Sequence, residues 1–396
     1  MQLKNPFERL NIVLWQPLAG YAFGLTVLIT ELVYRLGTLV PAFSQSEKAS
    51  IVRSLSIETI VNNPLFAPHE FLQYLGLKSG HKGFIAMRLP SVMMAVAAIA
   101  LFFYIVNRWF NFRIALISTI LFASSSWLIH SARIATPEIT MLGLLAPLAY
   151  SIWLHRTVRP LPALIVGAIV LTGILHIPGF VWFAILGIIW QRNSLVKAYK
   201  EAKIPAILIL SACVIVSTPL IIAVASDRSV LLTYFGLPQS MPASWFDIPR
   251  NILAIPYRLI LVGPNNPSLN LGRLPLLDFF TAIMAVIGAY SYAVHSTLRR
   301  SKLILASIIL GSILVGIGGP VTITVLMPFI FLLVAGGINF MVEQWFLVFP
   351  YNPLARNLSS VLIVAAVVVT SFYHINRYFI AWPQAPVTKQ TFNQQP

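Results

Sequence analysis

Phe43-Ser44-Gln45-Ser46-Glu47-Lys48 opens the first long polar stretch of the chain, and Arg88-Leu89-Pro90 closes it. Between them lie Asn62-Asn63-Pro64 and Ala67-Pro68-His69-Glu70. Apolar runs at 18–40 and 89–106 flank the stretch, and each is long enough to cross a bilayer as a helix. Hydrocarbon offers no partner for backbone N–H and C=O groups, so a chain that alternates in this way crosses as hydrogen-bonded helices. The reading of this one stretch decides the class: an all-α polytopic membrane protein.

Working outward, the same alternation continues to the end. Apolar runs follow at about 114–129, 139–154, 161–175, 180–190, 204–225, 274–294, 303–317, 321–342 and 358–375. With the first two they predict about eleven crossings in a single membrane domain. Asn5 to Gln16 reads as a short amphipathic segment on the inner surface. A second long polar segment covers 226–273, where Trp245-Phe246 and Tyr257-Arg258 predict an interfacial helix with aromatic anchors. A polar tail occupies 376–396. Composition agrees: 58% of residues are hydrophobic and 10% charged, against about a quarter charged in soluble domains.

The net charge of +16 does not indicate nucleic acid. The basic residues stand at the ends of apolar runs, where lipid phosphates and the positive-inside rule account for them. Placing the N-terminus in the cytoplasm puts Arg108/Arg113, Arg156/Arg159, Arg192 to Lys203, Arg299/Arg300/Lys302 and Arg356 inside. The polar segments 42–88 and 226–273 and the tail 376–396 then lie outside, as expected for a multi-pass protein of the cell membrane. The single cysteine, Cys213, rules out an intramolecular disulfide.

With only eleven acidic residues, their placement is informative. Glu31 and Arg35, four apart, read as a pair on one face of the first span. Glu47 follows that span directly and can serve as a helix cap, a surface charge or a base. Glu138 follows Pro137 at a helix start, where a carboxylate complements the dipole and remains available for chemistry. Arginines on the side that topology disfavours need another reason, and bidentate binding of phosphate is one. There is no Walker loop, no H-E-x-x-H and no C-x-x-C. His69-Glu70 has no second histidine at metal-ligand spacing. No cofactor is indicated, and a divalent cation is neither required nor excluded. The glycines from Gly311 to Gly319 read as helix packing.

Arg88-Leu89-Pro90-Ser91-Val92 entering the second span and Ser131-Ala132-Arg133-Ile134-Ala135-Thr136-Pro137-Glu138 after the third are the most specific motifs. Together with the acidic loop before them, they resemble the GT-C glycosyltransferases of the protein O-mannosyltransferase and aminoarabinose (lipid A) transferase group over about the first 160 residues. The resemblance implies transfer of a sugar from a polyprenyl-phosphate donor to an extracytoplasmic acceptor, with inversion. A lipid phosphate leaves without a general acid, whereas the acceptor hydroxyl needs a base. One carboxylate and a few cations therefore suffice.

On this resemblance Glu47 is the first choice of base and Glu138 the second acidic member. Arg88 and Arg133, with Lys48 and Arg53, contact the donor phosphate, and His69 positions the acceptor. The group carries Asp-Glu where this chain has Ser46-Glu47. Glu47 as base, Glu138 as base and a catalytically inactive relative therefore stay open. A lipid-linked glycan transporter or flippase is the reading from another class. The expected partners are the lipid-phosphate donor, the acceptor and membrane lipids, with no nucleic acid.

Overall fold

The computed structural model describes residue 24 and residues 26–40, 42–80, 83–155, 159–240, 245–264 and 270–392. The amphipathic segment expected at Asn5 to Gln16 lies outside the described residues. Within them every regular element is a helix. The first, α1 (26–33), is followed by three short helices: α2 (Gln45–Arg53), α3 (Ile57–Asn62) and α4 (Ala67–Lys78). The long α5 (Phe84–Trp109), α6 (Phe112–Ser124) and α7 (Ser126–Arg133) come next. A 3-10 turn, Pro137–Leu144, leads into α8 (Leu145–Leu154), then α9 (Pro160–Leu175), α10 (Phe180–Glu201) and α11 (Lys203–Ser226). After α12 (Arg228–Tyr234) and α13 (Asp247–Ile260) the bundle ends with α14 (Phe279–Val294), α15 (Arg299–Gly316), α16 (Met327–Val348) and α17 (Pro353–Asn376).

Among the described residues five helical stretches are long and apolar enough to cross a membrane: Phe84–Trp109, Pro137–Leu154, Lys203–Ser226, Ile323–Val348 and Pro353–Gln384. They become six if α6 and α7, bent by 59°, count as one broken span. The chain is a multi-pass membrane protein. The lower count against the eleven apolar runs has local causes. Ser125 interrupts the third run, its side chain accepting the Leu128 N–H as the N-cap of α7. α9 and α14 are apolar but only 16 residues each. α15 begins with Arg299, Arg300 and Lys302, and the last eleven residues of α10, from Gln191 to Glu201, are a largely polar helical stretch.

Burial ranks the helices. In the apolar window of Ile323–Val348, 78% of residues are buried, against 17% for Lys203–Ser226. The first is the axle of the bundle and the second lies on its rim. α14 meets α16 at near backbone contact: a Cβ added to Gly288 would stand 1.8 Å from Leu333 O, and one on Gly337 2.0 Å from Met284 O. Between membrane helices such contacts supply dispersion where lipid removes the hydrophobic incentive to associate. α13 is amphipathic, with Trp245 and Phe246 just before it and Leu253 on it highly exposed. The second polar segment therefore carries an amphipathic helix.

Three short helices cap one end of the bundle. Ser44 starts α2 through a capping box with Glu47, and Ser56 starts α3 through one with Thr59. α4 starts from Phe66 in the left-handed region (φ +64°), whose N–H donates to His176 O at 2.7 Å. Pro90 inside α5 has no N–H to give to Ala86 O. α4 passes beside that gap, where a Cβ on Gly76 would stand 3.2 Å from Ala86 O.

Candidate functional site

The first span does not stay helical to Val40. It unwinds after 33 into turns, with Arg35 at φ +54°, which takes Arg35 off the face that Glu31 occupies. No ion pair joins these two residues; one Glu31 carboxylate oxygen is buried without a partner. An unwound helix end leaves carbonyls that need donors, and two buried arginines supply them. Arg133 donates to the carbonyls of Glu31 (3.1 Å), Leu32 (2.7 Å) and Tyr34 (2.7 Å). Its guanidinium stacks on Tyr378 and Phe379. Arg88 donates to the carbonyls of Leu36, Val40 and Ala42 at 2.9–3.1 Å.

Arg88 also grips Glu47: Nε to Oε1 at 2.9 Å and Nη2 to Oε2 at 3.3 Å. Glu47 Oε1 further accepts Ala135 N–H (3.0 Å), and Oε2 accepts Ser44 N–H (2.9 Å). Both side chains are buried. Each of the five Arg88 N–H groups is thereby used, so none is left for a phosphate while the pair stays closed. Glu47 accepts four hydrogen bonds at once, from three residues. Arg88 and Arg133, expected to touch the donor, both engage the end of the first span, and Arg133 keeps a buried Nε without a partner.

A second polar layer lies against the first. Ser50 on α2 and Ser54, its C-cap one turn on, both donate to Gln73 Oε1 on α4 at 3.1 and 2.7 Å. Gln73 Nε2 donates to Met87 O at 3.2 Å and to Ala135 O at 3.3 Å. The Ala135 residue thus binds Glu47 through its N–H and Gln73 through its carbonyl. One turn from Gln73, His69 Nε2 pairs with Ser91 Oγ on α5 at 2.9 Å. Arg53 Nε donates to Glu70 Oε1 at 2.6 Å.

The exposure of these groups is unequal. The Glu70 side chain is 0% exposed, whereas 35% of Arg53 reaches the surface. Arg53 acts electrostatically on both His69 and Glu138, which brings these three residues into one neighbourhood. Lys48 is exposed on α2. Burial, helped by Arg53, pushes the His69 imidazole down to about 3, so the ring is neutral at every ordinary pH. Burial also raises the Glu70 carboxyl, with Arg53 opposing it. Within this neighbourhood His69 Nδ1, Glu70 Oε2 and Glu138 Oε2 are buried and have no protein partner. Thr136 hydrogen-bonds the Glu138 carboxyl. Such orphans cost about 1–3 kcal/mol each, and several in one place mark a functional candidate.

The structure therefore divides the residues singled out in the sequence. Glu47, Arg88 and Arg133 form a buried clamp on the first span. Arg53, His69 and Glu138 form a neighbouring cluster with unsatisfied atoms, which Glu70 joins. Sequence reading missed Glu70, Gln73, Ser50, Ser54 and Ser91 as members. The available signal was spacing: serines four apart on one short helix and its C-cap, and His69, Glu70 and Gln73 at i, i+1 and i+4 on another, place polar stripes that can face each other. Among the described residues no group of three His, Cys, Asp or Glu side chains is arranged to hold a metal.

No protein-family model matches the chain, and no curated protein sequence matches it. Solved structures do. The chain superposes on ArnT from Cupriavidus metallidurans in the apo state with a TM-score of 0.55 at 11% identity, covering 96% of this chain and 78% of that one. The form of the same protein bound to undecaprenyl phosphate gives 0.54 at 10% identity, covering 94% and 77%. Identity this low carries the architecture and nothing finer. The helical bundle with its capped end is the GT-C fold.

Proposed function

We propose that the protein is an integral-membrane glycosyltransferase that takes a sugar from a polyprenyl-phosphate donor and passes it to an acceptor hydroxyl on the extracytoplasmic side. The fold shared with ArnT, one form of which holds undecaprenyl phosphate, supports the lipid-linked donor. The observation that carries the proposal is the cluster at the capped end. A partly exposed arginine there stands near a carboxylate and a neutral histidine, with three buried polar atoms lacking partners.

In this proposal Arg53, with Lys48 on the same helix, takes the donor phosphate. Arg53 has donors to spare beyond the one bonded to Glu70. Glu138 Oε2 takes the acceptor proton as the acceptor oxygen attacks the anomeric carbon. The bond from that carbon to the phosphate oxygen breaks, and polyprenyl phosphate leaves with the electron pair. Attack opposite the leaving group inverts the anomeric centre. His69, kept neutral, accepts or donates one hydrogen bond to the acceptor through Nδ1. Glu47 remains in the catalytic set as the group that holds Arg88 and the 134–136 segment leading to Glu138.

Glu138→Gln keeps the shape of the side chain and removes the base. Reconstituted protein carrying it is expected to lose roughly 10²–10⁴-fold in transfer rate. Membranes of cells lacking the protein are expected to accumulate a sugar-phosphate polyprenol in lipid extracts. Full activity in Glu138→Gln would overturn the base assignment. Movement of the lipid-linked sugar across vesicles without transfer would replace the enzyme by a flippase.

A further inference from the structure

Three cavities follow one another through the bundle, from beside Leu144 and Ile174 to the end opposite the candidate site. α5 fixes the polarity, carrying Arg88 near one end and Trp109 at the other. The first cavity, about 350 Å³, is an apolar slot among α8, α9, α10 and α11, closed at its inner side by Leu303 and Phe329. The second, about 450 Å³, shares Leu148, Ser151, Trp190 and Leu303 with the slot, so the two are continuous. It is lined by His155, Arg299 and Arg300. The third, about 270 Å³, is polar and meets the second at Trp109, Leu298 and Arg300. Glu343 lines this third cavity and not the second.

An apolar slot that opens into a cationic vestibule is the negative image of an anionic lipid. Arg300 is held in place for such a role. One Nη1–H donates to Trp109 O at 2.8 Å, and the guanidinium lies 5.0 Å from the Phe110 ring centroid. Its other N–H groups stay available. At the junction of slot and vestibule Gln191 donates to Ser151 Oγ and approaches His155 Nε2 at 3.4 Å. The other end of its amide is buried without a partner. Whichever way the amide is turned, one polar atom there waits for a ligand group.

We infer that this end of the protein binds an anionic glycerophospholipid as a resident, non-substrate lipid. One acyl chain fills the slot, and the phosphate sits in the vestibule against Arg299 and Arg300. Basic pockets between membrane helices are the general means of holding such headgroups. A donor lipid with its phosphate at Arg53 cannot place the same phosphate at Arg300, on the far end of α5, so the occupant is a separate molecule. That the occupant is not the donor rests on the proposed donor site at Arg53; the lipid-shaped slot and vestibule do not.

Two variants test it from the two ends of the ligand. Arg299→Gln/Arg300→Gln removes the headgroup contacts. Gly187→Phe fills the slot: Gly187 lines it, and a Cβ there meets no atom within 4 Å, so a side chain can start at this position without pressing on a neighbour. The full chain is purified from vesicles of phosphatidylglycerol and phosphatidylethanolamine in equal parts with a trace of undecaprenyl phosphate, and bound lipid is read by native mass spectrometry. Wild type is expected to retain phosphatidylglycerol selectively. The double arginine variant should retain roughly thirtyfold less, and Gly187→Phe should lose it while melting as wild type does. Equal retention of the two phospholipids, retention unchanged in both variants, or undecaprenyl phosphate as the retained lipid each overturns the inference.

Discussion

A carboxylate can be essential to a protein in two different ways, and Glu47 and Glu138 separate them. Glu47 is enclosed, bidentate to Arg88, and bonded to two backbone N–H groups. Truncating it leaves a guanidinium buried without its counter-charge, an arrangement that costs about 3–5 kcal/mol. Glu47→Ala should therefore lower the melting temperature sharply in detergent, and Glu47→Gln should be milder, as differential scanning fluorimetry will show. His69 supplies a pH dependence. Its folded pKa of about 3 lies below the unfolded value of 6.5, so the unfolded chain binds the proton first. The stability that the neutral ring supplies is full above pH 6.5 and falls with acidification toward 3, by roughly 1 kcal/mol per pH unit. His69→Gln should flatten melting temperature against pH across that window. The roles of these residues were only partly legible in the sequence. Glu47 and Glu138 stand out because acids are rare in the chain, but which one is saturated depends on Ala135 and Arg88, 88 and 41 residues away from Glu47.

Helices were more legible than their ends. Apolar runs placed α5, α11, α16 and α17 because long runs have one physical interpretation in lipid. The unwinding at 34–40 was hidden, since Tyr34 to Val40 is as apolar as a helix end and its conformation is set by arginines from α5 and α7. The break at Ser125 and the 3-10 turn at Pro137–Leu144 were hidden for the same reason: hydropathy reports burial, not the hydrogen-bond pattern. Contact between α14 and α16 is governed by Gly288 and Gly337, where hydropathy says nothing at all. Gly288→Leu should drive a side chain into the Leu333 carbonyl and separate the two helices. Loss of monodisperse protein on gel filtration, together with a fall in melting temperature, is the expected result. Gly173→Leu, with nothing within 4 Å of its Cβ, should leave both unchanged.

The whole molecule is polar along its axis, with short capping helices at one end and basic turns at the other. Lysine and arginine placement predicts that the capped end faces away from the cytoplasm. Cys213 is the only cysteine, so a Cys213→Ser background makes the prediction measurable. On that background Ser240→Cys should react with an impermeant maleimide applied to whole cells, and Asn193→Cys should react only after lysis. The opposite pattern would invert the protein and place the candidate site in the cytoplasm. Class is the property that composition fixes, because lipid imposes it on every residue at once.

The clamp on the first span also bears on the order in which the molecule is assembled. Its carbonyls are satisfied by Arg88, 52 positions beyond Leu36, and by Arg133, 102 positions beyond Glu31. When the ribosome releases the first span into the membrane, neither donor has yet been made. The segment enters the bilayer with a ragged end and is completed only when α7 arrives. The stretch up to Arg133, rather than any single helix, is thus the smallest unit in which these carbonyls are all satisfied.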